Sequence, residues 1–73
     1  MAQGDATRAT LVGAARELFG AQGYAETSID EIVARAGLTK GAVYHHFEGK
    51  EGLFTAVFEQ VYREVTDQAA AAV

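Results

Sequence analysis

The stretch "TSIDEIVARAGLTKGAVYHHF", residues 27–47, decides the fold. Ser28 stands three residues ahead of Glu31, an S-x-x-E capping box. In that motif the serine hydroxyl accepts from the glutamate N–H and the carboxylate accepts from the serine N–H. Asp30 and Glu31 fall in the first turn, where the helix dipole favours anions. Ile29, Ile32, Val33 and Ala36 follow at i, i+3, i+4 and i+7, which predicts one apolar helical face over residues 29–36. Gly37 supplies the left-handed conformation that ends a helix. Thr39 then caps a further helix over 40–46, too short to be stable alone, with Leu38, Val43 and Phe47 as its anchors to the core. Two helices joined by a short turn containing glycine form a helix-turn-helix pattern.

Upstream, Leu11, Ala15 and Leu18 lie at i, i+4 and i+7, with Ala14 and Phe19 beside them. They predict a helix from about residue 6 to 21, capped by Asp5 or Thr7. Gly20 and Gly23 mark its end. Gly13 inside it costs about 1 kcal/mol against alanine; close helix packing is the expected reason for it. Downstream, "EGKEGLF", residues 48–54, breaks and restarts the chain. A fourth helix is expected over about 50–72, with Leu53, Phe54, Val57, Phe58, Val61 and Val65 as a broad apolar stripe. No stretch alternates with period two, so no strand is expected. The fold class is all-α: a three-helix head over residues 1–49, and the start of a long fourth helix over 50–73.

The chain has 73 residues, one small domain. A domain of this size buries only about 60% of its unfolded surface, which argues against a deep catalytic cavity. The absence of cysteine excludes disulfides and thiolate chemistry and fits a reducing compartment. No apolar run approaches the roughly 20 residues of a membrane span, and the start carries no secretion signal.

Net charge is −4, which taken alone argues against nucleic acid, but it is unevenly placed. Residues 1–25 sum to 0, 26–34 to −3, 35–50 to +2 and 51–73 to −3. The positive segment contains the 40–46 helix, and the local field matters more than the total for a small contact. On that helix Val43 and Phe47 share the inner face and Lys40 and Tyr44 an outer one, with Gly41, Ala42 and His45 alongside. Small residues flanked by a cation and hydrogen-bonding rings suit a helix end pressed into the major groove.

The adjacent His45 and His46 invite a metal reading. Neighbouring residues point about 100° apart on a helix, whereas zinc helices space their ligands at i and i+4; no metal or other cofactor is expected. Ser28 is the only serine and its cap explains it, so no nucleophile is left over and no enzyme is expected. Two blander readings stand beside the DNA one: a solvated helix end with a half-buried ring, and a protein-interaction module built on the apolar stripe of the fourth helix.

The words "AARELFGAQGYAETSIDEIVARAGLTKGAVYHHFEGKEGLFTAV", residues 14–57, resemble the amino-terminal domain of the TetR (tetracycline-repressor-like) family of transcriptional regulators. The A-x-x-L-F, G-Y-x-x-T-S-I-x-x-I, A-G-L-T-K-G-x-V-Y-H-H-F and K-E-x-L-F elements occur in order. The resemblance implies sequence-specific binding of double-stranded DNA in the cytoplasm, most simply by a repressor. It puts Lys40, Gly41, Ala42 and His45 at positions that meet base edges or nearby phosphates. It puts Thr27, Ser28, Thr39, Tyr44, His46 and Lys50 at phosphate-contact positions. Two residues depart from the pattern: Asp30, which would repel phosphate but can accept from a cytosine amino group, and Gly49, where a capping serine, asparagine or aspartate is common.

Family members continue into a larger helical domain that forms a homodimer and binds a small-molecule inducer. No inducer pocket is expected in these residues. Phe58, Val61, Tyr62 and Val65 are expected to be partly exposed where they would face that domain.

Overall fold

In the computed structural model the chain forms four helices: α1 (Ala2–Gln22), α2 (Ile29–Ala36), α3 (Lys40–His46) and α4 (Lys50–Ala72). The structure describes the backbone of residues 2–72 and the side chains of residues 6–67. The described residues contain no strand.

Local signals fix the ends of α2. Ser28 Oγ accepts from Glu31 N–H at 3.1 Å, and Ser28 N–H donates to Glu31 Oε1 at 3.0 Å. At the other end Gly37 takes φ +71°. Its N–H reaches Ala34 O, while Leu38 N–H reaches Val33 O at 2.9 Å. This is the Schellman arrangement, and Val33 and Leu38, both in or against the core, supply its apolar contact. Thr39 then caps α3 through a longer bond, Oγ1 accepting from Ala42 N–H at 3.4 Å.

Each helix sends a large, fully enclosed side chain inward: Leu11 from α1, Ile32 from α2, Val43 from α3 and Leu53 from α4, with Ala15 of α1 equally enclosed. Full burial of such a side chain is worth about 1.5–3 kcal/mol. That packing holds the seven-residue α3 in place, since a helix so short does not persist in water. Phe19, Tyr24 and Phe54 form an aromatic triad at the core, with centroids 5.1–5.6 Å apart and Phe54 edge-on to the other two rings. Polar ties brace the outside. Arg16 of α1 grips both Glu64 carboxylate oxygens, at 2.9 and 3.0 Å, and Gln60 at 2.9 Å on α4. Arg35 of α2 meets Glu17 of α1 at 2.7 Å.

Three expectations fail in α1. The helix begins at Ala2, so Asp5 and Thr7 lie inside it and are not caps. Its end is set by Gly23, at φ +88° with its N–H on Phe19 O; Gly20 is within the helix. No atom lies within 4 Å of a Cβ built on Gly13, so close packing does not account for that glycine. Close approach occurs instead at Gly52, in the first turn of α4, where a Cβ would stand 3.3 Å from Phe47 Cβ.

Candidate nucleic-acid interface

The turn between α2 and α3 turns the ends of both helices toward one side of the molecule. Lys40 is the first residue of α3, and its Nζ lies 2.9 Å from Oδ1 of Asp30 in the first turn of α2. The hydrogen bond to that carboxylate, followed by its charge, raises the Lys40 pKa, so the ammonium stays charged at any physiological pH. Next to it Gly41 is exposed and meets no neighbour closer than Thr39 Oγ1 at 3.7 Å from a built Cβ. A surface approaching α3 at this point reaches backbone.

One turn on, Tyr44 is 57% exposed. His45 is exposed and His46 half-buried, their rings perpendicular with centroids 4.9 Å apart. The two rings meet edge to face although they belong to neighbouring residues of α3. Among the described residues no group of three or more His, Cys, Asp or Glu side chains is placed to hold a metal ion. Ser28 and Thr39 are exposed at the two helix starts, with their hydroxyls already accepting the cap hydrogen bonds; the Ser28 O–H makes a long 3.4 Å bond to Glu31 Oε1, and the Thr39 O–H can donate to an outside acceptor.

Thr27 departs from what the resemblance implied, and Ala42 and Lys50 carry packing roles besides the implied ones. Thr27 is only 2% exposed. Its Oγ1 donates to Gly23 O at 2.8 Å and accepts from Gln22 Nε2 at 3.3 Å, while its N–H goes to Tyr24 O. Its side chain therefore buttresses the turn before α2 and presents nothing to a phosphate. Ala42 is half-buried and packs against the core cluster that contains Val43. Lys50 is drawn inward: Nζ donates to Tyr24 O at 2.9 Å and Thr27 O at 3.0 Å and sits 4.2 Å from the Tyr24 ring centroid. An ammonium has three donors, so one remains for an outside acceptor.

The sequence reading missed a further cation. Arg8 of α1 lies over the Phe47 ring, 5.1 Å from its centroid, beside the end of α3. Thirty-nine positions separate the two residues, and no local pattern links them.

Residues 11–57 match the family described as bacterial regulatory proteins, tetR family. The chain belongs to the TetR family. It is 50% identical over 54 residues to the transposon Tn10 TetC protein of Escherichia coli, a match covering 74% of this chain and 27% of that protein. It superposes on a TetR-family transcriptional regulator from Pectobacterium atrosepticum with a TM-score of 0.84 and 48% identity, covering 97% of this chain and 37% of that one. A γ-butyrolactone receptor described as ArpA-like gives a TM-score of 0.87 and 45% identity, again with 97% and 37% covered. This chain thus spans little more than a quarter to a third of these TetR-family relatives, and the shared part is the four-helix head with its helix-turn-helix.

Proposed function

We propose that this chain reads double-stranded DNA through α3 and serves transcriptional regulation, most simply repression, in the cytoplasm. One observation carries the reading: the outer arc of α3 is uncovered where its side chains are smallest. Bare Gly41 is flanked by exposed Lys40, Tyr44 and His45. That arc suits close approach to base edges, with Lys40 and His45 as donors and Ala42 keeping the helix slim. Ser28, Thr39, Tyr44, His46 and the third N–H of Lys50 suit phosphate oxygens, which position the helix without reading sequence. Family membership supports the same conclusion.

In the full regulator, residues 1–49 act as the head and α4 leads into a helical domain that dimerises and takes a small-molecule inducer. The dimer sets two copies of α3 on a near-palindromic operator about 34 Å apart.

The test is a titration of an operator duplex at several salt concentrations. With Lys40, Lys50 and one histidine near phosphate, each subunit makes about 2–3 ionic contacts, so the slope of log K against log salt should be about −2 to −3 per subunit. A flat response would remove the DNA reading. It would favour the second one, a protein contact through exposed Phe58, Val61, Tyr62 and Val65 of α4, because an apolar contact responds little to salt.

A further inference from the structure

We propose that Asp30 and Lys40 form one reading unit for a G·C base pair, with Asp30 as the specificity-determining residue of α2. The inference rests on the DNA reading above and goes beyond it in naming the base pair and the residue that selects it.

The two groups come from the first turns of neighbouring helices, touch at 2.9 Å, and are 73% and 58% exposed on their side chains. The fold does not depend on the contact, because a single exposed ion pair adds only about 0–1 kcal/mol. Nor is Asp30 needed to cap α2; Glu31 makes the reciprocal bonds with Ser28. The ammonium has two donors left after Asp30, and the carboxylate has unused lone pairs. Side by side they present a cationic donor and an anionic acceptor in fixed order.

The major-groove edge of G·C runs acceptor, acceptor, donor: guanine N7 and O6, then the cytosine amino group. The edge of A·T runs acceptor, donor, acceptor, then methyl. A unit with its charges segregated matches the segregated edge, Lys40 over guanine and Asp30 at the cytosine amine. Over A·T the carboxylate that reaches the adenine amine has an acceptor on either side. On a mismatched site the Asp30 carboxylate gains no base donor yet still stands beside a polyanion, so it penalises wrong sequences as well as rewarding the right one.

The experiment selects bound duplexes from a random pool with the unaltered chain, with Asp30→Asn and with Lys40→Met, then measures affinities by fluorescence anisotropy. Far-ultraviolet circular dichroism checks that each variant keeps its helices. The unaltered chain should recover a site with a fixed G·C pair, and exchanging that pair for A·T should weaken binding about 5- to 150-fold, the range for one good base contact. Asp30→Asn should bring that ratio toward one and tighten binding to unselected duplex. Lys40→Met should also lose the ratio but weaken binding to unselected duplex, which keeps the test open should one variant fold poorly. Recovery of a site whose base preferences are unchanged by both substitutions overturns the reading unit and leaves DNA binding standing. Recovery of no duplex even at low salt overturns both.

Discussion

Lys50 lies across the Tyr24 ring and donates to the Tyr24 carbonyl oxygen at 2.9 Å, joining the start of α4 to the turn that precedes α2. A second bond to Thr27 O at 3.0 Å fixes the other end of the same turn. The residue that the resemblance assigned to phosphate is thereby also a brace for the helix-turn-helix. Lys50→Ala removes two charge-assisted bonds and a cation–π contact. In a half-buried setting this should cost about 1–2 kcal/mol of stability, read as a lower urea midpoint, in addition to any loss of DNA affinity. An unchanged midpoint would restrict Lys50 to an external role.

Thr27 is the buried polar residue of the described core. Thr27→Val keeps its volume but deletes the hydroxyl that serves Gly23 O. Leaving such a carbonyl without its donor should cost about 1–3 kcal/mol. A valine variant as stable as the parent would mean that water replaces the hydroxyl freely.

Gly13 sits inside α1 with open space where a Cβ would go. Gly13→Ala should therefore stabilise the chain by about 0.5–1 kcal/mol, from helix propensity and a less flexible unfolded state. Calorimetry or urea unfolding reads this directly, and a destabilised variant would mean that something packs there.

How much of this was legible in the sequence depended on the range of the interaction. The box at Ser28 and Glu31, the stop at Gly37 and the inward set Ile32, Val33 and Val43 are written within one or two helical turns, where a 3.6-residue period and cap chemistry suffice. The exposed Phe58, Val61, Tyr62 and Val65 were also legible, because the apolar stripe on α4 runs longer than a three-helix head can cover. The start of α1 was misread because Asp5 and Thr7 are good caps by type, yet Ala2, Gln3 and Gly4 before them are already helical. The burial of Thr27 and the bracing role of Lys50 were not legible because both are set by the path of the turn between α1 and α2. The Asp30–Lys40 contact joins residues on separate helices, so it depends on how those helices cross, which no periodicity encodes.

Glu64 gives a pH dependence with a definite sign. Hydrogen bonds from Arg16, opposed by desolvation and helped by the Arg16 charge, hold the Glu64 carboxyl below its ordinary value of 4.5. A carboxyl whose pKa is lower folded than unfolded adds stability above the unfolded value and loses it as pH falls through the folded one. Glu64→Gln should therefore melt below the parent at pH 6–7, and the gap should close as pH falls through the lowered folded-state pKa, where the glutamate becomes as neutral as the glutamine. Because the pair is exposed, added salt should narrow the gap at neutral pH as well. The other carboxylates titrate in both proteins, so the difference between the two melting curves isolates this one contact between α1 and α4. A gap that stays constant from pH 7 to 3 would show that Glu64 acts through packing and not through its charge.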